Sequence, residues 1–405
     1  MTTEPLRVIL ISTARKFHGG EQQAELLMDG LAKIGHECLT VVPNGSVYAE
    51  RLERSGRPYV AMYGKGLSWR GAFQLRRAIE AHRPDAVLLN DPHALTAWQV
   101  QIVMRRFWRW SGWPWREVAN APGGSSSGAI VGRGPHVFAA RRVDFPLNRP
   151  KRYENHCDGL LCVSHAIAQQ CQRDGIPADK LFVVHDGVDP RRMIQGDAQR
   201  GRDLLQIDID SGPILVCVAR LADHKGHKYL LEAFASLSRR FPRSILALAG
   251  DGELRDSLQQ LSGELGIADR VRFLGYTERI PDLLAVADLT VMASHMEGLC
   301  SSLIDSMFAR CPIVATTAGG IPDLLAPRKD DNRAVGWLVP VRDSAALAEA
   351  MLDALINHRL RAEYVEAAYE RAERSFTDAA MVRRTEQILL AAREGDSSGG
   401  EGVRN

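Results

Sequence analysis

No apolar run in this 405-residue chain reaches the roughly 18 residues that a membrane-crossing helix needs, so no spanning segment is expected. Charge of one sign is equally scarce. Fifty-one Lys and Arg against 49 Asp and Glu leave a net +2, which gives no whole-chain attraction for nucleic acid. The seven cysteines are scattered and odd in number, which suits a reducing compartment and argues against a disulfide framework. The start, MTTEPLRVILIS, lacks a cationic segment and a small-residue cleavage site, so it reads as an opening strand and not as a secretory leader. The first strand-to-helix turn, RKFHGGEQQ, lacks the Gly-x-Gly-x-x-Gly fingerprint, and the second strand ends Val-Val-Pro-Asn without an acidic residue. This argues against hydride chemistry on a dinucleotide.

What is present is the make-up of a large globular protein. Hydrophobic residues at 45% and charged residues at 25% fall in the ordinary range, and the length suggests two domains, each with ample core. Strand-like and helix-like stretches alternate as in two doubly wound α/β sheets. RVILIS, a helix over Glu21 to Ile34, and CLTVVP open the first domain; AVLLN, HVFAARR, GLLCVS and LFVVHD supply later strands. We expect a first domain over residues 1–187, a turn at Gly187-Val-Asp-Pro190, and a second domain over 188–375. An amphipathic helix over 376–393 and a polar, Gly-rich, disordered tail over 394–405 would follow.

The second domain strings three anion- and sugar-handling devices along one α/β unit. The run PILVCVA exits into Arg220-Leu-Ala-Asp-His-Lys225-Gly226 ahead of a helix, so two cations five residues apart can converge on one polyanion near a helix N-terminus. Both are expected to be exposed. LALAGDGEL places Gly250 and Gly252 where the backbone can approach a ligand closely. SHMEGLCSSLIDSMFARCPIVAT reads as a loop, a helix from about Ser301 and a strand. Glu297 can face a sugar hydroxyl, the free N–H groups of Leu299 to Ser302 can face a phosphate, and Asp305 can take a ribose diol. Cys300, just ahead of that helix, is expected to be a reactive thiol.

Together with HGGEQQAELLMDGLAKIGHE, NDPHAL, ARRVDF, VSHAI, HDGVD, AGDGELR, VRFLGY and GGIPDLL, this block resembles the family 4 retaining glycosyltransferases over nearly the whole chain. The resemblance implies a GT-B fold, two Rossmann-like domains facing a central cleft, with the acceptor bound by the first and the nucleotide-sugar donor by the second. It implies that Gly19 and Gly20 let the backbone pass close to the donor diphosphate. It also implies that Tyr276, Gly298, Leu299, Cys300 and Ser301 border the donor, and that Arg220 and Lys225 neutralise the leaving diphosphate with no metal or cofactor. The family has Glu at both ends of the seven-residue spacer, whereas this chain has Glu297 and the shorter Asp305. Where the family carries a cleft histidine, this chain has Arg142, which cannot act as a base but can hold a phosphate or an acidic acceptor; His93 is the second candidate.

Other constellations compete for attention. Asp208-Ile-Asp210 matches the paired aspartates of metal-dependent transferases, but it precedes a strand and reads as a linker. His156, Cys157, Cys162, His165 and Cys171 fit no common zinc spacing. Five of the seven Trp lie between Trp98 and Trp115, interleaved with Arg, a mixture suited to the headgroup layer of a bilayer or, alternatively, to a helix packing them in the core. The expected activity is transfer of a sugar from a nucleotide sugar, a UDP-sugar in the first instance, to a lipid-linked or cell-envelope glycan. The expected place is the cytoplasm, with peripheral contact at the inner face of the membrane. A nucleotide-sugar epimerase on the same fold and a catalytically silent nucleotide-binding scaffold are the alternatives.

Overall fold

The computed structural model describes residues 4–64, 68–110, 134–208, 211–328 and 331–395. The first sheet holds β1 (Arg7–Ile11), β2 (Glu37–Pro43), β3 (Tyr59–Met62), β4 (Ala86–Leu89), β5 (His136–Arg141), β6 (Gly159–Cys162) and β7 (Leu181–Val183) in the spatial order 3-2-1-4-5-6-7. The second holds β8 (Ile214–Val218), β9 (Ile245–Ala249), β10 (Val271–Gly275), β11 (Leu289–Met292), β12 (Ile313–Thr316) and β13 (Trp337–Val339) in the order 10-9-8-11-12-13. Every strand pair is parallel. Central strands of such sheets are covered on both faces, which is why β4, β6, β11 and β12 are buried at every position and read as unbroken apolar runs.

Two parallel sheets with helical crossovers define an α/β protein of two Rossmann-like domains. In each sheet the strand order reverses once, between β1 and β4 and between β8 and β11, and ligands of such folds bind at the carboxyl ends there. β3 was not anticipated; it is a four-residue edge strand whose YVAM pattern is only partly buried. The first helix begins at Gly19, two residues earlier than expected.

The chain crosses between the domains twice, side by side. Val188 and Thr377 pair as a parallel bridge, and a Cβ on Gly187 would stand 2.6 Å from Asp378 Cα. Gln23 clamps the same spot, its amide nitrogen donating to Gly187 O and its amide oxygen accepting from Gly187 N, both at 3.0 Å. The last helix, Asp378–Gly395, then lies on the first domain: Met381, Val382, Ile388 and Leu389 share a core with Leu6, Val8 and Leu31. Gly30 makes room for Val382, since a Cβ there would meet Val382 Cγ2 at 2.2 Å.

Candidate functional site

The loops at the carboxyl ends of the two sheets meet face to face. From the first domain, Asp144 after β5 accepts the Glu297 backbone N–H at 3.2 Å, and the Ser164 hydroxyl after β6 donates to Gly298 O at 2.8 Å. Gly298 is required by this contact, because a Cβ would lie 2.1 Å from Arg142 O.

Lys225 reaches the centre of the cleft through a short turn. After β8 the chain makes one 3₁₀ turn over Asp223–Lys225, and Gly226 adopts φ +67° with its Cα so close to β11's exit that a Cβ would stand 2.0 Å from Ala293 O. The Lys225 ammonium donates to Glu297 Oε1 at 2.6 Å, and the Ser294 hydroxyl donates to the same oxygen at 2.9 Å. Both partners are largely out of solvent, 19% and 7% exposed, which corrects the expectation of an exposed Lys225. Burial works against the ammonium charge, but the neighbouring carboxylate outweighs it and Lys225 holds its proton more tightly than an ordinary lysine. Glu297 Oε2 has no hydrogen-bond partner among the described residues, leaving one carboxylate oxygen for a ligand.

Arg220 differs from Lys225. Its side chain is 69% exposed and touches Glu253, itself exposed, at 3.1 Å. Such a surface pair is worth little and a phosphate can displace it. Gly250 and Gly252 are explained by protein packing: Cβ atoms there would stand 2.0 Å from Ala219 O and 2.3 Å from Leu221 O, so the glycines let the Arg220 loop lie on the loop after β9. Their close backbone approach is therefore to this loop. Tyr276 stands 81% exposed at the exit of β10.

The helix Ser301–Phe308 follows Glu297, preceded by Cys300 in the left-handed region at φ +79°. L residues rarely adopt that conformation, which here turns the chain sharply into the helix, with Leu303 N–H bonding back to Cys300 O at 3.1 Å. Leu299 and Cys300 are buried and Ser301 is exposed. The reactive-thiol expectation is overturned for Cys300: burial, and then the Glu297 charge, push its thiol far above the ordinary range. Asp305 Oδ1 is buried without a hydrogen-bond partner among the described residues, and burial raises the Asp305 carboxyl to about 6.

In the first domain, Gly19 and Gly20 form the first turn of a helix, and Cβ atoms on them would meet nothing within 4 Å. Packing does not demand glycine here, so the missing side chains serve open space. Arg142 donates from Nε to Asp186 at 3.1 Å and from Nη1 to Asn90 at 2.8 Å, while Asn90 in turn reaches Glu21 at 3.4 Å. Burial raises the Asp186 carboxyl against the pull of Arg142. Arg142 is thus a strut with its second terminal nitrogen unengaged among the described residues. His93 is exposed beside a first-domain hollow, its backbone N–H bonded to Asp91.

A second junction escaped notice in the sequence, although its residues sit in the quoted strings VSHAI, HDGVD and GGIPDLL. Asp323 Oδ2 accepts from the His165 backbone and ring at 2.8 and 2.9 Å, and its contact with the His185 ring is 3.0 Å. Burial opposes ionisation of Asp323, but these hydrogen bonds prevail and hold its carboxyl well below the ordinary range; the same bond raises His165. Of the His and Cys residues weighed for zinc, His165 alone joins a metal-sized group, with His185 and Asp323, among the described residues. Asp210 lies outside those residues.

The Trp-rich segment divides. Trp98 is a core residue, 6% exposed, which removes it from any lipid-facing surface. The helix Pro92–Trp110 carries Val103 exposed, while Trp113 and Trp115 lie outside the described residues, as does most of the tail. No helix among the described residues is long and apolar enough to cross a membrane.

The comparisons with known proteins agree with this geometry. Residues 17–192 match the model of Glycosyltransferase Family 4 and residues 206–371 match that of Glycosyl transferases group 1. The chain belongs to this glycosyltransferase family, with the two-domain GT-B architecture. It is similar to a lipopolysaccharide core biosynthesis glycosyltransferase of Rhizobium meliloti, 28% identical over 62% of this chain and 69% of that one. It is also similar to a GDP-mannose-dependent phosphatidylinositol monomannoside mannosyltransferase of Mycolicibacterium smegmatis, 28% identical over 52% of this chain and 56% of that one. The matched stretch thus spans little more than half of the second relative's length. Among solved structures, the Anabaena protein HepE in complex with UDP and glucose superposes with a TM-score of 0.74 at 18% identity, over 95% of this chain and all of that one.

Proposed function

We propose that this glycosyltransferase moves a hexose from a UDP-sugar to a hydroxyl of a lipid-linked or cell-envelope glycan, with retention and without a metal. The observation that carries the reading is the Lys225–Glu297 pair, one carboxylate oxygen taken by the ammonium and the other open, beside the start of the helix Ser301–Phe308. Glu297 Oε2 holds a hydroxyl of the transferred sugar. Lys225, Arg220 and the helix N–H groups stabilise the diphosphate as the glycosidic bond breaks, supplying fixed positive potential where negative charge develops. Asp305 accepts a ribose hydroxyl. The acceptor hydroxyl attacks from the same face, and its proton passes to the leaving phosphate.

Two observations bear on the donor base. A UDP-bound neighbour of the same fold favours uridine, whereas a relative is named for GDP-mannose. The likeness to a lipopolysaccharide core enzyme favours an envelope glycan made at the inner face of the membrane, with the helix Pro92–Trp110, which exposes Val103, as the peripheral contact. The epimerase alternative has no support from these comparisons. A thermal-shift screen of nucleotide sugars, followed by anomeric analysis of the product by NMR in the presence of EDTA, tests the reading. Stabilisation by a UDP-sugar and an axial product formed with EDTA present are expected; inversion or loss of activity with EDTA would overturn the retaining, metal-free chemistry.

A further inference from the structure

The acceptor half of the cleft holds a hollow that the donor chemistry does not use. It measures about 310 Å³ and lies at the carboxyl ends of β1 and β4, where the strand order of the first sheet reverses. Arg15, Lys16, His18 and His93 surround it, and Asp91 is the acidic residue in its wall. A wall of four basic side chains and one carboxylate could be self-neutralised, but Asp91 is turned elsewhere. Its Oδ1 accepts from the Thr13 hydroxyl at 2.6 Å and from the N–H groups of His93 and Ala94 at 3.0 Å; its Oδ2 accepts from Thr13 N at 2.6 Å and the Ser12 hydroxyl at 3.4 Å. It caps the helix Pro92–Trp110 and ties down the β1 exit, so its charge is spent on backbone and hydroxyl donors.

Arg15 and Lys16 make no side-chain hydrogen bond or ion pair among the described residues, and neither does the His93 ring. Two permanent cations left unpaired at the rim of a ligand-sized hollow form a receptor for an oxyanion. The adjoining Gly19 and Gly20 leave the entrance open.

We infer that the acceptor carries an anionic substituent, a phosphate monoester or a carboxylate, and that Arg15 and Lys16 bind it in this hollow while His18 and His93 line the approach. This rests on the glycosyltransferase reading above, in that it assigns the first domain to the acceptor. An anion held here anchors the acceptor from a point separate from the Lys225–Glu297 pair, so it selects acceptors without taking part in donor breakdown. Because the cations are exposed, binding weakens as salt rises.

The test uses the full chain and inorganic phosphate as probe, followed by ³¹P line width, with acetate as the carboxylate probe. Wild type, the double variant Arg15→Met/Lys16→Met and the donor-side variant Arg220→Met are compared, with UDP and GDP titrated separately. Phosphate affinity should fall at least tenfold in Arg15→Met/Lys16→Met and less than threefold in Arg220→Met, while nucleoside diphosphate affinity in the double variant stays within twofold. Acetate binding as tightly as phosphate would assign the pocket to carboxylates, and weaker acetate binding to phosphates. Phosphate binding that is absent from wild type, unchanged in the double variant, or lost only in Arg220→Met overturns the inference. Failure of wild type to bind either nucleoside diphosphate would instead strike the donor reading, since the phosphate comparison does not depend on it. Both replaced residues are exposed, so an unchanged melting temperature confirms that the double variant is folded.

Discussion

The Lys225 ammonium and Glu297 Oε1 lie 2.6 Å apart at the junction of two domains, in a position where neither side chain is well solvated. A paired charge in such a place is stable only while its partner is present. Under the proposed function this pair would link fold and chemistry, fixing the carboxylate assigned to the donor sugar and positioning the ammonium assigned to the diphosphate.

Arg220 and Lys225 should consequently behave differently on removal. Arg220→Ala deletes an exposed cation and should lower turnover about 100-fold with a melting temperature close to wild type. Lys225→Ala leaves Glu297 buried and unpaired, which typically costs about 3–5 kcal/mol, so it should lose both turnover and stability. Parallel initial rates and thermal melts separate the two; equal melting temperatures would show that the pair carries no stability.

Asp305 stores a cost that a ligand can relieve. Its carboxyl is raised to about 6, so the folded state prefers the neutral acid, and stability present at low pH is lost as pH rises through that value. A shift of this size corresponds to roughly 2–3 kcal/mol against the ionised form. Asp305→Asn should therefore raise the melting temperature of the free protein at pH 8 and change it little at pH 4. The same variant should bind nucleoside diphosphate about tenfold more weakly, because a hydroxyl donating to a carboxylate is replaced by a neutral contact.

Cys300 should resist alkylation in the folded protein. Six of the seven cysteines are buried and Cys38, half-buried, has its thiol pushed up to about 12. Mass-spectrometric mapping at pH 8 should find Cys300 labelling no faster than Cys217 or Cys311. Rapid labelling at Cys300 would mean that the loop ahead of Ser301 opens in solution.

The architecture was legible in the sequence because central parallel strands are buried on both faces and leave contiguous apolar runs such as AVLL and IVAT. The edge strand Tyr59–Met62 has no such run, being only partly covered. The site was legible where spacing along one loop and helix carries the information, as from Glu297 to Asp305. It was illegible where partners come from distant strands: Asp144 meets Glu297 across 153 positions, and His165 meets Asp323 across 158. Cys300 and Lys225 were misread because adjacency to a helix start or a motif says nothing about depth, and depth decided both. Trp98 lost its lipid-facing reading for the same reason.

Glu297→Gln is the most direct test of the central claim that Glu297 grips the sugar and not the nucleotide. The amide keeps an oxygen to accept from Lys225 and Ser294 but leaves the Lys225 charge without its carboxylate, so some stability should be lost and a thermal melt must show the variant folded at the assay temperature. Isothermal titration of the nucleoside diphosphate, run beside a transfer assay, should give an affinity within a few-fold of wild type with transfer abolished. Transfer that survives in Glu297→Gln, or a large loss of diphosphate binding in that variant, would contradict the account.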